Sequence, residues 1–364
     1  MDIVIAEADA IRTYRLARRR DATIRVEPAP EDPTDFSYGS SERFRACVLA
    51  PLIELGIIDE GSSVHLRFPH RKTSRRVRGI TGHLCTSKLP QGACWRVIPE
   101  DRKLAQALSS QGIRLFVDCP QLCVVYVAAQ AQRTVTKSPL SRRVVPMART
   151  IALGSEFCGT YALGTAKALG SSTAYGLEPL ISVVELREFL SEAHGVDGLM
   201  VARGACEVIA GGQASPAEVA LRAGLVLRPG MGGFHFERPA TNQPLLPNES
   251  LQALLKHQNI TPDLYWERYG LVIEYDGAVH FSADGVREDK RRVFDYQAME
   301  LVVLPATAED IRTVDSFDAF ARTVSRVMER VDGPSLRRRV NKILADKDAR
   351  ICRSLLLSGI QTAL

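Results

Sequence analysis

Apolar positions recur at two spacings along this chain, and the change of spacing marks where one kind of element is expected to give way to another. Phe44, Val48, Leu49 and Leu52 fall at helical spacing and predict a helix over Ser41–Leu55, opened by Ser40, Ser41 or Glu42. Met1–Arg20 also reads as a helix, ending in Arg18-Arg19-Arg20, and Pro28–Gly39 reads as a Pro- and acid-rich connector. Short β-rich runs follow at Cys94–Ile98, Ile113–Val117 and Gln121–Ala128; the last, with Val124, Val125 and Val127, reads as a central strand. Helical spacing returns over Ile151–Leu169, although Gly154, Gly159 and Gly164 weigh against it. It is clearer over Leu177–His194, through Val183, Val184, Leu186, Phe189 and Leu190, and a shorter helix is expected within Gly195–Ile209.

The densest succession of elements lies further on. Ser215 and Pro216 have the character of an N-cap and a first helical residue, and open a helix that runs to about Leu227. A strand is expected near Gly233–Glu237. Thr261–Trp266 and Leu271–Asp276 flank a polar break at Glu267–Gly270 and predict an antiparallel hairpin. Gly285–Glu300 reads as a helix with Val286, Val293, Phe294 and Ala298 as its apolar stripe, and Leu301–Pro305 as a short strand. A last helix is predicted over Ser316–Val331. Beyond it, Gly333–Leu364 has seven Lys/Arg against two Asp and an apolar stripe of Leu336, Val340, Ile343 and Leu344. That stripe predicts a helix packed on the core with its charges in water; a basic helix lying along DNA is compatible with it.

The hairpin carries the candidate chemistry. A turn centred on Arg268-Tyr269 sets Asp263 directly across from Glu274, and the alternation of a strand puts Asp276 on the same face as Glu274. Carboxylates opposed across a strand pair destabilise it. Two readings are open: an exposed edge whose acids are plain surface residues, or a divalent-cation site, for which hard oxygen ligands on a rigid sheet suit magnesium or manganese.

Composition narrows the picture modestly. The chain has 364 residues, 45% hydrophobic and 24% charged, with a net charge of +5. It is long enough for two domains, and its mild positive charge permits nucleic-acid binding without demanding it. No apolar run approaches the roughly 18 residues of a membrane span, and the N-terminus lacks the apolar centre of a signal peptide, so the cytoplasm is expected. The eight cysteines, at 47, 85, 94, 119, 123, 158, 206 and 352, include no C-x-x-C. This argues against zinc, whose structural sites show compact paired spacing, and for buried free thiols in a reducing compartment. Gly230-Met231-Gly232-Gly233 lacks the Gly-Lys-Ser/Thr of a phosphate-binding loop. Basic residues concentrate between His65 and Arg78, at Arg67, Arg71, Lys72, Arg75, Arg76 and Arg78, and again in Thr134–Arg149. Each segment reads as a phosphate-contacting stretch or as solvated loop or linker.

Taken together, the Ser215-Pro216-Ala217-Glu218 helix start, Pro262-Asp263, Glu274-Tyr275-Asp276-Gly277 with His280, and the helix with Asp289 to Arg292 resemble the PD-(D/E)XK nuclease superfamily. The closer likeness is to the branch around very-short-patch-repair endonucleases. The resemblance covers about residues 205–312. It implies an α/β (overall α+β) protein: a restriction-endonuclease-like αβββαβ core within 205–332, preceded by an N-terminal α+β module (1–150) and a helical bridge (151–204), and followed by a basic tail (333–364). It further implies a Mg²⁺- or Mn²⁺-dependent DNA endonuclease. Asp263, Glu274 and Asp276 would be metal ligands, Glu218 would complete the shell, and His280 would poise water or contact the scissile phosphate. Arg67, Arg71, Lys72, Arg75, Arg76 and Arg292 would contact DNA. One departure stands out: Asp276 occupies the position where the superfamily has Lys. A basic residue of the following helix could stand in for that Lys. The alternatives are a non-catalytic DNA-binding antitoxin or regulator on a decayed nuclease core, and a structural partner protein. If each chain nicks one strand, a double-strand cut needs a homodimer or two visits.

Overall fold

Asp2–Ile5 (β1) is extended and buried at every position, lying between two other strands. The helix expected from Met1 therefore begins only at Glu7 (α1, Glu7–Ala17). The apolar run Ile3-Val4-Ile5 is committed by pairing, parallel to one neighbour and antiparallel to the other, and tertiary pairing overrides a helical propensity of a few tenths of a kcal/mol per residue. The computed structural model describes residues 1–36, 45–69, 79–135, 138–165, 173–245, 252, 255, 260–276 and 292–361. Contacts divide the chain into two units, Met1–Arg133 with Tyr161–Cys206, and Thr134–Thr160 with Glu207–Leu364.

After α1 come β2 (Ile24–Pro28), α2 (Ala50–Glu54), β3 (Val64–Phe68), β4 (Ile80–Leu84), β5 (Cys94–Pro99), α3 (Arg102–Ser110), β6 (Arg114–Asp118) and α4 (Pro120–Thr134). The six strands form one mixed sheet in the order β2-β5-β6-β1-β3-β4. Of the helix predicted over Ser41–Leu55, the described part is a π-helical turn at Arg45–Leu49 running into α2. The expected central strand Gln121–Ala128 is instead the first half of α4. Leu122, Cys123, Val124, Val125, Val127 and Ala128 are all buried. A segment enclosed on nearly every side shows no period, so an apolar run of this kind does not distinguish strand from helix; Pro120 at the helix start and the 15-residue length decide it.

The basic stretch Thr134–Arg149 is not a linker. Ser138 and Ser141 form a reciprocal cap on α5 (Pro139–Phe157), and this helix belongs to the second unit. The helix expected over Ile151–Leu169 is the second half of α5, and it ends before Gly159. The chain then returns to the first unit with β7 (Tyr161–Ala162), β8 (Ala174–Tyr175), α6 (Val183–Glu192) and α7 (Leu199–Cys206).

The rest of the second unit runs α8 (Pro216–Val226), β9 (Ala240–Thr241), β10 (Leu264–Trp266), β11 (Leu271–Asp276), α9 (292–298), β12 (Val302–Thr307), α10 (Ala308–Arg312), α11 (Val314–Asp332), α12 (Pro334–Ala345) and α13 (Lys347–Gln361). No strand forms at Gly233–Glu237. The backbone N–H groups of Phe234, His235 and Phe236 donate to the carbonyls of Gly224, Leu227 and Leu225 at 3.0, 2.9 and 2.9 Å, so this segment satisfies the carbonyls that the end of α8 leaves open. The first strand of the sheet is the shorter β9. Sheet order is β12-β11-β10-β9, antiparallel except for β11 with β12.

The second unit is closed by α13, which packs on α5 and α8. Gly224 of α8 lies so close to the Phe317 ring that a Cβ there would overlap it. Leu336, Val340 and Ile343 of the C-terminal segment are buried, as the packing reading of the stripe requires. Arg353 of α13 is fully buried, paired with Asp318 at 2.7 Å and stacked over Phe234. Helices and mixed sheets together make the protein α+β. Among the described residues no helix is long and apolar enough to cross a membrane.

Candidate functional site

The hairpin register is the expected one: Leu264 pairs with Ile273, Tyr265 with Val272, and Trp266 with Leu271. The turn closes through Gly270 at φ +55, a left-handed conformation that glycine adopts without strain. One residue beyond the paired segment, the Asp263 carboxylate accepts the Tyr275 N–H at 2.6 Å. Asp263 thus stands beside Glu274 at the end of the hairpin.

Glu218 arrives from the first turn of α8. Ser215 caps that helix by accepting the Glu218 N–H at 3.2 Å. The Glu218 carboxylate accepts from the Ser215 hydroxyl at 2.9 Å, the Ala214 N–H at 2.9 Å and the Asn242 amide at 3.1 Å. Asn242 holds a left-handed backbone at φ +47, and its own N–H bonds back to the Pro262 and Asp263 carbonyls. It therefore both shapes the turn after β9 and ties Glu218 to the segment carrying Asp263.

The electrostatics follow from this crowding. Burial, then the neighbouring charges of Glu218 and Glu274, push the Asp263 carboxyl up to about 7, against the opposing effects of the Tyr275 N–H and Arg292. Glu274 is raised as well, chiefly by burial, while the Tyr296 hydroxyl and Arg292 oppose the shift. Tyr296 donates its hydroxyl to Glu274, and the Arg292 guanidinium lies 3.9 Å from the other oxygen of that carboxylate. Tyr296 in turn is driven up, by burial and then by the Glu274 charge.

The structure thus brings Glu218, Asp263, Glu274 and Arg292 into one neighbourhood. Asp276 is exposed at the end of β11. It is the last paired residue of β11, opposite Thr307, so alternation keeps it on the Glu274 face of the strand. His280 lies outside the described residues, as do Asp289, Arg71, Lys72, Arg75 and Arg76. Arg67 is described and does not fit a phosphate-contacting role. It is 8% exposed, with its guanidinium on Asp118 at 2.5 Å and on the Cys94 sulfur at 2.6 Å. A charge paired inside the sheet is not offered to a backbone phosphate.

Sequence reasoning missed Tyr296. The stripe expected on its helix included Val293 and Phe294, which are 42% and 48% exposed, whereas Tyr296 is fully buried with Ile260 and Val272. Its place between Asp295 and Met299 gave no helical period that would single it out. The donor chemistry of the patch, hard carboxylate oxygens under mutual repulsion, suits a magnesium-type ion, which is held by one or two carboxylates and keeps several waters. Asp263 and Glu274 are the pair that would hold it. Among the described residues, however, one group alone has three ligand atoms mutually within 4.8 Å, and it lies in the first unit: Glu7, His65 and His83. No protein-family model, curated protein or solved structure matches the chain.

Proposed function

We propose that the second unit is a metal-dependent DNA endonuclease core of the PD-(D/E)XK type. The observation that carries the reading is the meeting of Glu218, Asp263 and Glu274, from α8 and both strands of the hairpin, at a patch where Asp263 is pushed up to about 7. Buried and partly buried acids that repel one another, with one arginine at hand, have the electrostatics of a cation site, because a bound cation relieves what folding imposes. Further support comes from the order helix, three strands, helix, strand, and from β12 running parallel to β11.

A bound Mg²⁺ or Mn²⁺ would polarise the scissile phosphate and lower the pKa of a bound water. Asp263 and Glu274 would hold the ion. Glu218, fixed by Ser215, Ala214 and Asn242, completes the acidic wall beside Asp263. Tyr296 and Arg292 orient Glu274. Arg292, on the helix after the hairpin, is the described basic group placed to stand in for the missing Lys.

A second reading, a DNA-binding protein on an inactive core, is favoured by one observation: the Tyr296 hydroxyl already bonds one oxygen of Glu274, and the Arg292 guanidinium lies 3.9 Å from the other. Purified protein assayed on supercoiled and linear DNA with Mg²⁺ or Mn²⁺, beside Asp263→Ala and Glu274→Ala, separates the two. Metal-dependent nicking that both substitutions abolish supports the nuclease. DNA binding without cleavage, retained in both variants, supports the binder.

A further inference from the structure

A second constellation stands in the first unit, assembled from three segments that are distant in sequence. His65 lies on β3 and His83 on β4. Their parallel register pairs His65 with Thr81 and Arg67 with His83. The two histidines are thus offset by two positions, and alternation places both on one face of the sheet. Their rings stack, with centroids 5.0 Å apart and 14° between the planes.

Glu7 comes to them from β1. Ala6 donates its N–H to the His65 carbonyl at 2.9 Å, and Glu7 leaves the strand at φ +48 to open α1. Its carboxylate reaches His83 Nδ1 at 3.0 Å and His65 Nδ1 at 3.8 Å. His65 Nδ1 and His83 Nε2 are 2.8 Å apart. The Glu7 side chain is 10% exposed, whereas each imidazole keeps an accessible edge. Asp9 adds a further anchor by accepting the His65 N–H at 2.7 Å.

We propose that Glu7, His65 and His83 form a three-ligand site for a divalent transition-metal ion of the zinc class. The donor set decides the class: two imidazole nitrogens with one carboxylate suit zinc or cobalt, whereas magnesium takes oxygen ligands almost exclusively. The number of ligands decides the kind of site. Structural zinc is closed by four protein ligands, while three leave a position for water or substrate. Glu7 and His83 also line a cavity of about 580 Å³ with Cys85, Tyr126, Arg133 and Asp197. The Arg133 guanidinium lies 3.6 Å from Glu7 and 3.8 Å from Asp197. The cluster thus borders a polar pocket from which water could supply the fourth ligand. The site shares no residue with the carboxylate patch of the second unit and does not depend on the nuclease reading.

The test is a titration of the chelator-stripped full chain with Co²⁺, read by visible absorption, followed by displacement with Zn²⁺. In excess Mg²⁺, to occupy the carboxylate patch, one Co²⁺ per chain with visible bands is expected, bleached by stoichiometric Zn²⁺. His65→Gln and His83→Gln should each weaken binding by at least about a hundredfold, while His235→Asn, at an exposed histidine of the second unit, leaves it unchanged. Circular dichroism checks the fold of each variant, and Glu7→Gln replaces any that fails to fold. The proposal is overturned by the absence of both the bands and any zinc binding, which would leave a proton-sharing histidine pair only. Bands that persist in the folded His65 and His83 variants, or that vanish in His235→Asn, overturn it equally.

Discussion

Asp2 and Asp263 are both acids drawn into a sheet, and they end in opposite electrostatic states. Asp2, in the first unit, is fully buried, and burial alone would raise its carboxyl. The Arg114 fork at 2.7 Å on both oxygens, with the Asp35 and Thr34 N–H groups, more than reverses that and holds it below the usual carboxylate range. Asp263, in the second unit, has one backbone donor and one distant arginine against two neighbouring acids, and it is pushed up to about 7. The first arrangement is finished within the chain. The second is balanced only if something positive is added, which is why the proposed function rests on the acid of the second unit rather than on the more deeply buried one of the first.

The sharpest way to break this contrast is activity. In the DNA-nicking assay, Asp263→Ala is expected to lose more than about a thousandfold, equivalent to about 4 kcal/mol of barrier, while Asp2→Asn in folded protein retains full nicking. Equal loss in both would erase the distinction.

Stability tests the same contrast with opposite signs. Asp263 binds its proton more tightly folded, up to about 7, than unfolded, near 3.8. The unfolded state therefore ionises first, and stability falls as pH rises between those values, by on the order of 4 kcal/mol in total. Asp263→Asn should remove that slope and raise the urea midpoint of the second unit at pH 8, with little change at pH 4. Asp2 runs the other way: its contribution is present above the unfolded pKa and is lost as pH falls through its depressed folded value. Asp2→Asn is expected to cost about 2 kcal/mol at pH 7 and to lower the thermal midpoint.

The smallest effect concerns Tyr296. Tyr296→Phe removes the hydroxyl that Glu274 accepts, and should destabilise the second unit by about 1 kcal/mol. It should also raise the Glu274 carboxyl further, moving the pH at which nicking appears upward. An unchanged pH profile would show that Tyr296 merely packs.

Much of the candidate patch was legible in the primary structure because it is local. Asp263 and Glu274 are separated by one tight turn, and turn length together with alternation settles their register. Ser215, Pro216 and Glu218 lie within one helical turn, where capping chemistry is read residue by residue. The paired strands Cys94–Pro99 and Arg114–Asp118 were likewise visible as short apolar runs with β-rich composition.

What local pattern could not decide was settled by enclosure and by pairing across long separations. Helix α4 is buried on nearly every side, which erases the period that separates helix from strand. Asp2–Ile5 becomes a strand because β6 and β3, distant in the chain, provide its partners. Arg67 lies in a basic run but is claimed by Asp118 from another strand, so the charge that looked available is spent inside. Glu7, His65 and His83 carry no spacing signal, because three separate segments supply one ligand each. The chain by itself determined the class of fold, the hairpin and the acids it carries, since these depend on neighbours a few residues away. Tertiary structure alone decided which charges are neutralised and which remain, because that depends on what the sheet brings within a few ångströms.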